Sequence, residues 1–242
     1  MNNRNLAACG VNFSDLIASA FQRAYLVERA LLVGNEKNKV IAMPGFHRPY
    51  LGWVGENYRG GTVIVAKNPG GSGEDSPKYG IDDELDRRVG SFSQEIDPKS
   101  ALQEISKLYL SQKNIGMHRI LDEVRQGLNE EISSFAYLNP CPYRTPGSPK
   151  MKECLQLVIA PVFEALQPDT VIYLNKTVGD DVHELEQRGR WKKLGSVRWS
   201  YVLQRNRKDS SGLSVEGRER LKAASADNAD RTGYRLLGSR HA

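Results

Sequence analysis

The sequence predicts a three-layer α/β/α sandwich built on a short, mainly parallel central sheet. Three observations predict it. Short apolar, β-branched runs recur along the chain, stretches with helical spacing separate them, and each run ends at a polar residue that opens a loop. Sheets of this kind bind ligands beyond the carboxyl ends of their strands. The loops that matter are therefore those opening at Lys67, Asn139, Asn175 and Gln204.

In chain order, Ser14 to Val33 reads as an opening helix. Leu16, Ile17, Ala20, Phe21, Ala24, Leu31 and Leu32 recur at helical spacing behind a Ser14 cap. The Gly/Pro/aromatic stretch Pro44 to Gly61 is expected to be an ordered loop. Thr62-Val-Ile-Val-Ala66 is a buried strand that runs into Asn-Pro-Gly-Gly. Helices are expected over Lys99–Gln112 and Gly116–Leu128, and a second strand over Ile132–Leu138. Pro149 opens a helix that reaches Leu166, with Pro161 a point for a kink. A third strand follows over Thr170–Leu174, then a helix from Thr177 to Arg188 that Gly179 weakens. The last strand covers Val197–Leu203, and a charged helix Val215–Ala224 precedes a polar, mobile tail after Ser225. No internal repeat is present. The expectation is one domain over 1–242: an N-terminal helix and loop to 57, a core over 58–207, and a C-terminal helix and tail over 208–242.

Composition narrows the function. The chain has 242 residues, 39% hydrophobic and 26% charged, which suits a soluble globular domain with a sizeable core. Its net charge of +5 favours a polyanionic partner. No run of about 18 apolar residues exists to span a membrane, and the first residues lack the apolar segment of a signal peptide. Cys9, Cys141 and Cys154 are odd in number and lack CxxC spacing, so a reducing cytoplasm is expected. Three thiols fall short of the four that usually hold an iron–sulfur cluster. His47, His118, His183 and His241 are scattered without metal-ligand spacing. No metal and no cofactor are expected, and the chain is expected to be a monomer.

Two loops carry the chemistry. The first reads Ala66-Lys67-Asn68-Pro69-Gly70-Gly71, and lacks both the GK[ST] of a phosphate-binding loop and the GxGxxG of a dinucleotide fold. The second is Tyr137-Leu138-Asn139 followed by Pro-Cys-Pro-Tyr-Arg144. Taken for local structure alone, both are strand-to-loop turns built from Asn, Pro and Gly.

Together they resemble the uracil-DNA glycosylase superfamily. Its first motif commonly reads GxDP or GxNPG after the first core strand, the place of Ala66–Gly70 here. Its base-reading asparagine commonly ends a second apolar strand, as Asn139 ends Phe135–Leu138. Gln167-Pro168-Asp169 before Val171–Leu174 is similar to the family's PxxI run. The resemblance covers roughly Tyr58 to Arg207. It implies a uracil-DNA glycosylase-like fold, with DNA as partner and hydrolysis of an N-glycosidic bond as the reaction.

By that resemblance Asn68 positions the hydrolytic water. An amide is no strong base, so rate would come from placement and electrostatic stabilisation. Backbone amides near Gly70 and Gly71 are open to a pyrimidine carbonyl or a phosphate because no β-carbon stands in the way. Asn139 offers a donor and an acceptor to a pyrimidine edge. A ring stacked on the flipped base is expected; Phe92 and Tyr79 are the candidates. Arg144 and the final loop, Arg205, Asn206, Arg207 and Lys208, are placed to hold flanking phosphates.

Two departures from the family shape the substrate. The usual last motif with its histidine is absent, and Gln204-Arg205-Asn206-Arg207-Lys208 stands in its place. Gly70 also occupies the position where uracil-specific relatives carry a tyrosine that blocks 5-substituents. A modified, bulkier pyrimidine is therefore expected over plain uracil. Some members of the superfamily remove such bases from phage DNA in antiviral defence. Uracil repair, a catalytically silent DNA binder and a hydrolase of free nucleosides are the alternatives.

Overall fold

The computed structural model describes residues 13–33, 51–67, 83–111, 116–140, 151–191, 197, 199–203, 212–230 and 235–237. The elements are α1 (Phe13–Val33), β1 (Gly52–Val54), β2 (Thr62–Val65), α2 (Asp83–Ser91), α3 (Pro98–Ser111), α4 (Gly116–Leu128) and β3 (Ala136–Leu138). After these come α5 (151–166), β4 (Thr170–Tyr173), α6 (Lys176–Gln187), β5 (Trp199–Val202), α7 (Val215–Asp230) and β6 (Arg235–Leu237). Single 3-10 turns cover Phe92–Gln94 and Ile132–Ser134.

This is an α/β chain around a mainly parallel central sheet, as the sequence predicts. Strands β2, β3 and β4 are buried at every position. Unbroken apolar runs rather than alternating ones are what strands covered on both faces require. The sheet order is β1-β3-β2-β4-β5-β6. Pairings of β2 with β3 and β4, of β4 with β5, and of β5 with β6 are parallel. Strand β1 runs the other way: the Asn139 amide donates to the Leu51 carbonyl over 2.7 Å, and the Gly55 amide to the Phe135 carbonyl over 2.8 Å. Partners that rise along one strand as they fall along the other define an antiparallel ladder.

Two compact units form, each from separated stretches. The first holds Met1–Trp53, Asn68–Ser111 and Asn139–Leu166; the second holds Val54–Lys67, Gln112–Leu138 and Gln167–Ala242.

In the first unit, α1 packs against α3, against most of α5 and against the turn at Phe92. Phe21, Tyr25, Ile105, Val158, Ile159 and Val162 are buried there. Asp97 starts α3, accepting the Ser100 amide at 3.1 Å and the Ser100 hydroxyl at 2.6 Å, with Pro98 in the first helical position. The kink expected at Pro161 takes a specific form. Proline has no amide to give the carbonyl four residues back, and the preceding turn, Leu155–Ile159, opens into a π-helix in which the Ala160 amide reaches Leu155.

In the second unit, α4 ends on Asn129, whose φ of 54° is left-handed. The Glu130 amide reaches back to the Arg125 carbonyl and the Asn129 amide to Gln126, which satisfies the last carbonyls of the helix. Helix α6 starts at Asn175, whose side chain accepts the Thr177 amide at 2.9 Å. Ser214 starts α7 by accepting the Gly217 amide at 3.0 Å.

Three expectations are corrected. The loop expected over Pro44–Gly61 contains β1, a three-residue strand with Gly52 at φ 147°. Helix α2 is an element the sequence does not announce; among its residues with described side chains only Val89 is buried, so apolar periodicity is nearly absent. The polar tail after Ser225 is structured in part: α7 continues to Asp230, and Arg235–Leu237 pairs with β5.

Candidate functional site

The strand register brings the loop origins together. The Ala66 amide donates to the Leu138 carbonyl at 2.9 Å, the Leu174 amide to Val65 at 2.8 Å, and the Leu203 amide to Tyr173 at 2.8 Å. Strands β3, β2, β4 and β5 therefore end level with one another. The segments that follow Lys67, Leu138, Leu174 and Leu203 leave at one end of the sheet, the end where parallel sheets bind ligands.

Of the residues singled out from sequence, Asn139 and Phe92 are described. Asn68, Gly70, Gly71, Tyr79, Arg144, Arg205, Asn206, Arg207 and Lys208 lie outside the described residues. Asn139 and Phe92 both belong to the first unit, and three successive interactions link them. The Phe92 ring meets the Tyr25 ring edge-on, 5.3 Å between centroids at 70°. The Tyr25 hydroxyl accepts the Leu51 amide at 3.0 Å. The Leu51 carbonyl accepts the Asn139 amide at 2.7 Å. Gln22, one turn before Tyr25 on α1, donates to the carbonyls of Glu95 at 2.8 Å and Phe92 at 3.4 Å.

Every link is shielded from water. Phe92 and Leu51 are 0% exposed, Asn139 1% and Tyr25 3%. Hydrogen bonds made away from solvent hold their geometry, since breaking one leaves a buried group unsatisfied.

Residues that sequence reasoning did not reach bracket the final loop. On the departing side, the Arg220 guanidinium donates to the Val202 carbonyl at 3.1 Å and pairs with Glu216. On the returning side, Glu123 accepts the Leu213 amide at 3.1 Å and pairs with Arg218 at 3.1 Å. A β-carbon on Gly212 would sit 2.5 Å from the Glu123 carboxylate, so a larger residue there would have to shift that side chain. Glu123 and Arg218 are 95 positions apart, so no local pattern announces the pair.

The amino-terminal ends of the strands carry another polar group. Glu130 accepts the Thr62 hydroxyl at 3.1 Å and the Ser134 hydroxyl at 3.4 Å. Burial raises the Glu130 carboxyl above the ordinary range, those hydrogen bonds work against the rise, and the Asp169 charge adds to it. Burial, then the Asp169 charge, also holds the Tyr58 phenol protonated far beyond its usual range. These groups lie at Thr62, the far end of β2 from Lys67. Among the described residues no three His, Cys, Asp or Glu side chains gather as metal ligands would, and no helix is long and apolar enough to cross a membrane.

Compared with models of known protein families and with curated proteins, the chain has no match.

Proposed function

We propose that this chain is a DNA glycosylase of the uracil-DNA glycosylase type, an α/β/α sandwich that hydrolyses the N-glycosidic bond of a flipped-out base. The observation that carries the reading is the level register of β2 and β3. Because Ala66 bonds to Leu138, the segment that opens Lys67-Asn68-Pro69-Gly70-Gly71 and the residue Asn139 leave neighbouring strands at one end. Those are the two places where the resemblance puts the water-positioning and base-reading asparagines.

In this reading Asn68 orients water beneath the sugar, and Asn139 reads the polar edge of the base. Phe92 or Tyr79 stacks on the base. Arg144, Arg205, Asn206, Arg207 and Lys208 hold phosphates, and the net charge of +5 suits that partner. Gly70 brings no ring against a 5-substituent. The substrate class is therefore a 5-substituted pyrimidine, of the bulky kind that phage DNA carries, and the role is antiviral defence.

The test is abasic-site formation on DNA containing uracil, 5-hydroxymethylcytosine or glucosylated 5-hydroxymethylcytosine. Alkali-labile sites on modified DNA are the expected outcome. Asn68 in place of the family's frequent aspartate, with the missing histidine, favours one second reading, a silent binder. Salt-dependent DNA binding with no abasic sites on any of the three DNAs would establish it.

A further inference from the structure

We propose that Lys67 and Lys176 form a paired phosphate contact at the carboxyl end of the sheet, each neutralising one phosphate of a DNA backbone. The proposal rests on the DNA partner of the glycosylase reading and extends it to two cations that the reading leaves without a role.

The two lysines follow neighbouring strands. Val65 and Tyr173 are partners in the parallel ladder of β2 and β4, and the Leu174 amide carries the pairing one step further, onto the Val65 carbonyl at 2.8 Å. Lys67 follows Ala66 out of β2, and Lys176 follows Asn175 out of β4. Paired strands lie about 4.8 Å apart, so the two cations leave the sheet next to each other. Lys67 is partly exposed and Lys176 is exposed. In the described residues that follow the carboxyl ends of β2, β3, β4 and β5, namely 66–67, 139–140, 174–177 and 203, these are the only charged side chains. Among the described residues neither pairs with a carboxylate, whereas Arg87, Arg88, Arg188, Arg218 and Arg220 each do.

Lys176 stands against local preference. It is the first residue of α6, whose first turn holds no acidic residue. The free amides of a helix N-terminus carry partial positive charge, which a cation there opposes and a carboxylate would complement. Asp180 lies one turn further along α6, away from the sheet end, and lysine four residues before a carboxylate is the weaker order for a helical pair. A cation kept where it costs the helix stability, at the end of the sheet where ligands bind, points to an anionic partner. Asn175 closes the cap on the Thr177 amide at 2.9 Å, so the contact falls to the lysine side chains. Lysine is a compact charge with three donors, suited to a phosphate contact that reads no sequence.

The test is affinity for an unmodified DNA duplex between about 50 and 200 mM salt, measured on wild type, Lys67→Gln, Lys176→Gln, the double variant and Lys107→Gln. Lys107 is an exposed lysine of α3, and its variant removes the same charge elsewhere. Lys67→Gln and Lys176→Gln should each flatten the slope of log K against log salt by about 0.9, and the double variant by about 1.8. Lys67→Arg and Lys176→Arg keep the charge and should keep the slope, as should Lys107→Gln. Lys176→Glu should bind DNA more weakly than wild type and yet melt higher, because a carboxylate suits the start of α6. Unchanged slopes in both glutamine variants overturn the proposal. Equal flattening by Lys107→Gln also overturns it, by making the effect one of net charge. If inorganic phosphate raises the melting temperature of wild type but not of the double variant, while their DNA slopes agree, the pair holds a free anion and the proposal is wrong. A wild type that binds no duplex overturns the contact outright. The glycosylase reading fails separately: a wild type that binds DNA but leaves no abasic sites removes the catalysis, and the variants' slopes still decide the phosphate contact.

Discussion

The amide of Ala66 donates to the carbonyl of Leu138 over 2.9 Å, and this bond fixes how two loops leave the sheet. Ala66 directly follows β2, and Leu138 is the last residue of β3. From there the chain continues into Lys67-Asn68 on one side and into Asn139 on the other. Parallel neighbours in register deliver their carboxyl ends together, which is how an α/β sheet assembles a site from residues far apart in sequence.

The first prediction concerns Asn139. Its backbone amide donates to Leu51, a bond that alanine can also make. Asn139→Ala should therefore fold, while excision falls by about 100-fold or more through loss of a well-placed polar group. Circular dichroism and single-turnover excision on the same preparation check this. Wild-type excision from Asn139→Ala would remove the residue from the base pocket.

Gly179 supplies a test of packing. In an exposed helix Gly→Ala stabilises by about 1 kcal/mol, but a β-carbon on Gly179 would lie 2.6 Å from Cγ2 of Val202. Valine is stiff at χ1 and gives way poorly, so overpacking of about 1–3 kcal/mol should win. Gly179→Ala is expected to lower the urea midpoint at unchanged slope. An increase in stability would mean that α6 and β5 separate more easily than their geometry indicates.

Much of this fold is legible in the sequence, and the exceptions have physical causes. Thr62–Val65 and Thr170–Tyr173 can be read because strands covered on both faces are apolar throughout. Helix α4 is legible at Gly116–Leu128 because its buried stripe of Ile120, Leu121 and Val124 is strongly periodic. Strand β1 is hidden because three residues beginning with glycine carry no alternation, and its pairing is set by a partner far along the chain. Helix α2 is hidden because its sequence, DELDRRVGS, is polar, with Glu84 paired to Arg87 and Arg88. Gly179, a flaw in a helix when read from sequence, is where Val202 fits. At the site, strand ends and Asn139 can be anticipated from where apolar runs stop. The packing of Tyr25 against Phe92 and its bond to Leu51 cannot, because no spacing along the chain reveals them.

Glu130 predicts a pH dependence. Its folded pKa is raised above the ordinary value of 4.5, chiefly by burial. The folded state therefore binds that proton more tightly than the unfolded chain does. The group's contribution to stability is fully present below the unfolded pKa and is lost as pH rises through the folded value. Glu130→Gln cannot titrate, so it should gain stability relative to wild type between about pH 4 and neutrality, as the wild-type carboxyl ionises. Urea unfolding across that range is the measurement. Parallel curves for the two proteins would show that Glu130 titrates normally.

The final loop predicts a salt dependence. Arg220 and Glu123 hold the chain on either side of 204–211, and the segment between carries Arg205, Arg207 and Lys208. Replacing those three with glutamine should weaken DNA binding and flatten the slope of log K against log salt by about 0.9 for each phosphate no longer neutralised. An identical slope would assign phosphate binding to another surface.

The central claim is tested most directly by one experiment: wild type and Asn68→Ala incubated side by side with uracil-containing, 5-hydroxymethylcytosine-containing and glucosylated DNA, with abasic sites counted after alkali. The glycosylase reading predicts abasic sites from the wild type, most on a 5-substituted pyrimidine, and a loss of roughly 100-fold or more in Asn68→Ala with DNA affinity retained. No abasic sites from the wild type on any of the three DNAs would contradict it, and equal excision by Asn68→Ala would move the chemistry to another group.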